Sequence, residues 1–371
     1  MKPRMLYLMH VPWSWIKQRP HFVAIELANY FDVTVVARPS SDKQLNAECE
    51  KVIIRNIGVA GESVFIRGMN YILLVLWINY CCFFKKIKYL WITDPRLIKF
   101  YQKIIVRKPL IIYDCMDNTS EFQEIKHSLK KQDKFLKQEQ YVLDNAHLIT
   151  VSSETLKNIL CEKHHILDLS KVIVVNNALD KNFIKQNLAD VKFNELCSKL
   201  KTSGNKLIIY SGTIDTWMQF DWLKELVCTT PDIAVVLIGP NVAGFLSDNE
   251  RLVLFGAIGH NYLFNALKNA DAFIMPFKTN KLIESVDPVK VYEYLVCDRP
   301  IILPYYSELD KFAHYESVHF YETFEQFKNI VSKCLFTEQT KNEVVDTSGF
   351  LASNAWSYRV SEIYSKLNKC S

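Results

Sequence analysis

The sequence predicts an α/β protein built from two doubly wound, Rossmann-like domains in tandem. Three observations carry this reading. Short apolar runs alternate with amphipathic stretches from Met5 to Val175. The pattern weakens and charge rises between Asn182 and Asn205. The alternation then restarts at Lys206 and runs to Leu303. Strands that alternate with helices argue for parallel sheets covered on both faces.

In the first half, Met5 to Met9 reads as a strand, His10 to Arg19 as a loop and His21 to Tyr30 as a helix. Strands are expected at Val33 to Ala37, Lys51 to Asn56, Tyr89 to Ile92, Leu110 to Tyr113, Leu148 to Val151 and Lys171 to Val175. Helices are expected over Phe122 to Leu143 and Glu154 to Lys163, with Asn194 to Leu200 as a short linker helix. In the second half, Lys206 to Tyr210, Ile233 to Ile238, Arg251 to Phe255, Ala272 to Met275 and Ile301 to Leu303 read as strands. Phe220 to Val227 and Asn261 to Lys268 read as helices. The tail, Ser353 to Leu367, reads as a helix with Trp356, Val360, Ile363 and Tyr364 on one face.

At 371 residues the chain suits two domains of ordinary size. It is 49% hydrophobic and 23% charged, which is a globular composition. A net charge of +5 gives little support for nucleic-acid binding but permits attraction to an anionic membrane surface. Ten cysteines are scattered without a Cys-x-x-Cys pair or a His/Cys ligand cluster, a pattern that suits a reducing cytosol. The first apolar run is too short for a signal peptide. Tyr71 to Phe84 is nearly all apolar and is followed by Lys85, Lys86 and Lys88. It is shorter than the about 20 residues a spanning helix needs, so a buried core helix is expected. The alternative is a helix lying in a membrane interface. Lys126 to Lys137 is a second basic stretch, read as a solvated helix face or a membrane-facing patch.

Ser285 to Pro304 is the most informative stretch. A loop leads to a helix opening at Pro288, with Asp287 placed to cap its amides. Lys290 adds a cation in the first turn, where the N–H groups already favour an anion. Glu293 follows on the same face. Phosphate-binding groups with a carboxylate one turn further in would suit a sugar nucleotide, although Lys and Glu are also ordinary surface residues. Ser211-Gly212-Thr213 follows the first strand of the second half, where Gly212 would let a ligand approach the backbone. Gly256 to Tyr262 forms another strand-end corner. In the first half, Trp13, Trp15 and Arg19 follow a strand, so the indoles would stack on a sugar or pack in the domain interface. Asp117 follows another strand and would act as a general base if burial raised its pKa, or would cap a helix near Thr119. His10 is the rival base. The chain has no Gly-x-Gly-x-x-Gly after a strand, no P-loop and no Asp-x-Asp pair.

The Pro288-x-Lys290-x-x-Glu293-Tyr-Leu run resembles the nucleotide-binding signature of GT-B glycosyltransferases of the bacterial capsule, O-antigen and teichuronic-acid type. The Trp13-x-Trp15-x-x-x-Arg19-Pro string, Tyr113-Asp-Cys-Met-Asp117, Val151-Ser-Ser-Glu154 and Val174 to Asp180 resemble further features of that branch. The chain departs from it in placing Ser285 where many relatives have Glu, and in lacking an Arg or Lys close after Gly212. The resemblance implies a GT-B architecture: two Rossmann-like domains facing across a cleft, with a C-terminal helix crossing back. It implies an acceptor domain over 1–190, a nucleotide-sugar domain over 191–350 and the crossing helix over 351–371. The nucleotide sugar would meet Gly212, Thr213, Gly256, Tyr262, Ser285, Asp287, Pro288, Val289, Lys290 and Glu293. Lys290, Asp117 and His10 would serve catalysis, and Trp13, Trp15 and Arg19 the acceptor.

The implied reaction moves a hexosyl group from a nucleotide diphosphate sugar, UDP-linked, to a hydroxyl of a growing, lipid-linked surface glycan. No cofactor or metal is expected beyond the donor, and no nucleic-acid partner. A cytoplasmic protein in peripheral contact with the inner membrane surface is expected. The alternatives are a sugar-nucleotide epimerase of the same fold, or a non-catalytic partner subunit of a transferase.

Overall fold

The computed structural model describes residues 2–37, 52–55, 63–166, 168–337 and 346–369. They form two compact units: Met1–Asn177 with Trp356–Ser371, and Ala178–Ala355.

The first unit runs β1 (Arg4–Leu8), α1 (Arg19–Leu27), β2 (Asp32–Val36), β3 (Ile53–Arg55), α2 (Val64–Phe84), β4 (Tyr89–Ile92), α3 (Ile98–Gln102), β5 (Leu110–Cys115), α4 (Gln123–Lys126), α5 (Leu129–Asn145), β6 (Ala146–Val151), α6 (Glu154–His164) and β7 (Val172–Val174). Its seven strands pair in parallel in the order β3-β2-β1-β4-β5-β6-β7. The order reverses between β1 and β4, and ligands of doubly wound sheets enter at the carboxyl ends beside such a switch. The central strands carry apolar residues on both faces because helices cover both. Leu6, Leu8, Leu90, Ile92 and Ile149 are fully or almost fully buried.

The second unit runs α7 (Val191–Thr202), β8 (Lys206–Ser211), α8 (Phe220–Thr229), β9 (Ile233–Ile238), β10 (Leu252–Gly256), α9 (His260–Leu267), β11 (Ala272–Ile274), α10 (Val289–Leu295), β12 (Ile301–Pro304), β13 (Val318–Tyr321), α11 (Phe324–Phe336) and α12 (Thr347–Asn354). Its six parallel strands are ordered β10-β9-β8-β11-β12-β13, with the switch between β8 and β11. The last helix, α13 (Trp356–Lys369), belongs to the first unit. It packs on α1, with Trp356 stacked on Phe22 at 5.5 Å and Tyr364 on Tyr30 at 4.3 Å. Trp356, Val360 and Ile363 are buried, as their spacing predicts.

Several expectations shift. The units divide between Asn177 and Ala178, ahead of the boundary expected at 190, and again between Ala355 and Trp356. The stretch expected as a linker helix is α7, whose Phe193 and Cys197 are fully buried in the second core. The helix expected from Phe122 to Leu143 breaks at His127 and Ser128. β13 and α11 follow the last expected strand, Ile301 to Leu303, within the stretch expected to belong to the second domain. The strand expected over Lys51 to Asn56 is described only from Val52 to Arg55. The largest correction concerns α2, which is not a buried core helix. Its Phe65–Phe84 span is long and apolar enough to cross a membrane by length and composition, yet only 17% of its apolar window is buried.

Candidate functional site

In the second unit the strand ends beside the switch converge. Gly212, Gly239 and Gly256 follow or end three neighbouring strands, β8, β9 and β10, and all have positive φ, at 140°, 149° and 94°. Gly212 N–H donates to the Ile238 carbonyl and Gly239 N–H to the Gly256 carbonyl, both at 2.9 Å. A Cβ at Gly239 would lie 1.9 Å from the Gly212 carbonyl oxygen, so no side chain fits there. The three turns make a backbone ledge that only glycine permits at Gly239. The sequence reading selected Gly212 and Gly256 and missed Gly239. The signal was present, because Gly239 directly follows the apolar strand Ile233–Ile238.

Lys290 reaches this ledge from α10. A Cβ placed on Gly212 would stand 3.1 Å from Lys290 Cε. The ammonium lies 4.8 Å from the Phe277 ring centre and 5.5 Å from that of Tyr210, which hold its stem by cation–π contact. The Tyr294 hydroxyl accepts the Ser211 N–H at 2.8 Å and locks α10 to the end of β8. Tyr210 donates its hydroxyl to the Thr213 carbonyl at 2.8 Å, which fixes the next turn. Two motifs about eighty positions apart in the chain are thereby joined.

Glu293 is 7% exposed, and its carboxylate stands 3.5 Å from His260 Nε2 at the start of α9. That contact brings Glu293 to the start of α9, which follows Gly256 in the chain and includes Tyr262. Tyr262 is half-buried. The α10 start differs from the expectation by one residue: Pro288 is the capping position and Val289 the first helical residue. Asp287 stands one position before the cap. Its buried carboxylate accepts from the Tyr292 hydroxyl at 3.2 Å and pairs with Lys311 at 2.9 Å. Ser285 is fully buried and donates to the Leu282 carbonyl at 2.8 Å. Both side chains hold the loop in shape rather than standing at its surface.

In the first unit a cavity of about 250 Å³ opens at the carboxyl ends of β1, β4 and β5. His10 and Asp117 both line it, with Thr93, Asp94, Arg96 and Glu124. Thr93 Oγ1 sits 2.8 Å from His10 Nδ1, accepts the His10 N–H at 3.1 Å and donates to the Leu8 carbonyl at 3.2 Å. The single Thr93 hydroxyl proton has both the Leu8 carbonyl and His10 Nδ1 within reach. Burial, opposed by the Asp94 charge, lowers the His10 pKa below its usual value. The imidazole is neutral at physiological pH and able to take a proton. Asp117 is half-buried, and its carbonyl accepts the Thr119 N–H at 2.8 Å. The capping position of the following 3₁₀ turn is Asn118, not Asp117. Asp94 grips Arg96 through Nη2 at 2.7 Å and Nε at 2.9 Å, and Arg96 reaches Glu124 at 3.3 Å. Thr93, Asp94 and Arg96 were missed, although β4 lies between β1 and β5 and obeys the same strand-end rule.

Two expected acceptor contacts fall inside the unit. Trp13 is 6% exposed and packs on His21 at 5.2 Å. Arg19 is 3% exposed and bridges the fully buried Asp114 at 2.8 Å. It also donates to the Val175 carbonyl and to Asn177 Oδ1 at 3.2 Å. Arg19 ties α1 to the ends of β5 and β7 and is not at the surface. Trp15 is half-buried. Among the described residues, no three His, Cys, Asp or Glu side chains cluster as a metal site.

No protein-family model matches the chain. It is 25% identical over 227 residues, 56% of its length, to TuaH of Bacillus subtilis (strain 168), whose own assignment as a teichuronic acid biosynthesis glycosyltransferase is provisional. The chain spans about half (54%) of the length of that curated relative. Among solved structures it resembles the sucrose-phosphate synthase of Thermosynechococcus elongatus at TM-score 0.73 and 13% identity, over 99% of this chain and 100% of that one. It resembles Anabaena HepE in complex with UDP and glucose at 0.71 and 11%, over 99% and 100%. A UDP-forming α,α-trehalose-phosphate synthase of Burkholderia xenovorans matches at 0.68 and 10%, over 99% of each chain. The two Rossmann-like units have the GT-B fold, as the sequence resemblance implied.

Proposed function

We propose that this protein is a GT-B glycosyltransferase that moves a hexosyl group from a UDP-linked sugar to a hydroxyl of a growing, lipid-linked surface glycan. One observation carries the reading. Lys290 meets the glycine ledge of β8 and β9, so a cation and a side-chain-free backbone face one point at the switch of the second sheet. A diphosphate needs both close backbone approach and a positive charge. The similarity to TuaH and to folds solved with UDP supports the same assignment.

In this reading the ledge from Gly212 and Thr213, with Lys290 and the Val289 backbone, takes the diphosphate. Glu293, oriented by His260, takes the ribose hydroxyls, and Gly256 and Tyr262 border the base. As the bond to the sugar breaks, charge gathers on the departing phosphate. Lys290 stabilises it electrostatically without a metal or further cofactor. The first-unit cavity takes the acceptor, with His10 or Asp117 receiving the hydroxyl proton if the reaction inverts configuration.

Calorimetry with UDP, GDP and ADP, and product analysis with UDP-sugars in the presence of EDTA, test the proposal. UDP should bind tightest, and Lys290→Met should weaken it. Binding unchanged in Lys290→Met removes the carrying observation. Epimerised donor formed without any acceptor would assign the site to an epimerase instead.

A further inference from the structure

We infer that α2 and the loop after α3 form a docking face for an anionic lipid surface. At about 100° per residue, Phe65, Ile72, Leu73, Leu76, Tyr80 and Phe83 share one arc of roughly 100°. All are exposed, with Phe65 at 80%, Leu76 at 62% and Phe83 at 61%. The opposite face is anchored, since Ile78, Cys81 and Cys82 are buried in the core of the first unit. The helix therefore lies along that unit with one apolar stripe turned outward.

The loop from Lys103 to Lys108 continues this face. Asn79, at the edge of the stripe, donates to the Lys103 carbonyl at 3.1 Å and accepts the Ile105 N–H at 3.0 Å. The Ile105 side chain is 90% exposed, between exposed Lys103 and Arg107. From Ser63 to Tyr113 the chain carries nine Lys or Arg and a single acid, Asp94. That acid is 4% exposed and paired with Arg96. An exposed apolar stripe bordered by an excess of positive charge is complementary to a bilayer interface with anionic headgroups. The helix is 21 residues, about 31 Å at 1.5 Å per residue, and its anchored face makes it lie in the interface and not cross it.

The inference does not depend on the transferase reading, because binding is measured without any sugar nucleotide. Flotation of the full chain with vesicles of phosphatidylglycerol in phosphatidylcholine, and of phosphatidylcholine alone, tests it. The chain should float with the anionic vesicles and lose most binding in high salt or on the neutral ones. Ile72→Glu with Leu76→Glu changes only exposed positions and should weaken binding by about tenfold or more at unchanged thermal stability. Lys103→Glu with Lys108→Glu should weaken it and flatten its salt dependence. Failure to float, or equal flotation of both double variants and wild type, overturns the inference. So does light scattering that shows a dimer which Ile72→Glu with Leu76→Glu dissolves. Vesicle association that survives alkaline carbonate would also overturn it, in favour of a spanning helix.

Discussion

Breaking the Arg19–Asp114 pair on one side should destabilise the first unit at least as much as removing both charges, so the two single losses do not add. The guanidinium reaches Asp114 by Nη2 at 2.8 Å and by Nε at 3.0 Å, and the side chains are 4% and 0% exposed. Thr150 donates to the same carboxylate at 2.7 Å. In Asp114→Asn the guanidinium stays buried without its counter-charge, which costs about 3–5 kcal/mol. In Arg19→Met the carboxylate is left with Thr150, and the Val175 carbonyl loses its donor, for a similar cost. The double variant has no buried charge and a side chain of comparable volume. It should lose roughly 2–4 kcal/mol, well short of the sum, a coupling of about 3 kcal/mol or more. Urea unfolding followed by tryptophan fluorescence measures this, since Trp13, Trp15, Trp77, Trp91 and Trp356 lie in the unit. Additivity of the two single costs, or an Asp114→Asn loss below about 1 kcal/mol, would refute the argument.

Three further outcomes are expected. Lys290→Met should lower kcat with a UDP-sugar by about a hundredfold to a thousandfold at unchanged thermal stability, read by initial rates and a melting curve. Gly239→Ala should destabilise by about 3 kcal/mol or more and abolish UDP binding, because its Cβ would stand 1.9 Å from the Gly212 carbonyl. Gly244→Ala, at φ 64° with nothing within 4 Å, should cost only about 1 kcal/mol and leave binding intact. Burial holds the His21 pKa at about 4, below the 6.5 of the unfolded chain. The unfolded state therefore takes up a proton that the folded state refuses. This stability is present above pH 6.5 and is lost as pH falls toward 4, by about 3 kcal/mol over 2.5 units. Urea midpoints across that window should fall more steeply in wild type than in His21→Asn.

The strands were legible because a buried parallel sheet writes itself as apolar runs. Tyr89–Ile92 and Ile233–Ile238 sit where those runs do. The strand-end rule then located His10, Asp117, Gly212 and Gly256 without any contact information. What the sequence did not show was which polar side chains turn inward. Asp287 and Ser285 looked like ligand groups by position, yet one pairs with Lys311 and the other donates to its own loop. These partners are distant in sequence or are backbone atoms, so spacing carries no sign of them. The edge strand β13 escaped because its Val-His-Phe-Tyr run is short and mixed. The exposure of α2 escaped because an apolar stretch reads alike whether protein or another apolar phase covers it.

The first unit separates two tasks that occupy equivalent positions. Asp114 and Asp117 stand three residues apart at the end of β5. Asp114 lies within the sheet, fully buried, and spends its hydrogen-bonding capacity on Arg19 and Thr150. Asp117 lies past the sheet, where the chain turns and the cavity begins. Burying the first charge is tolerable only because Arg19 crosses from α1 to meet it, and that crossing also fixes the loop that carries His10 and Trp13. A proton acceptor must keep a reachable lone pair, and a clamp must not. His10 lines the cavity with Thr93 against one ring nitrogen, and Asp114 satisfies the second condition through Arg19. Position after a strand therefore nominates a residue, and the number of partners it already holds decides whether it contacts a substrate or supports the residue that does.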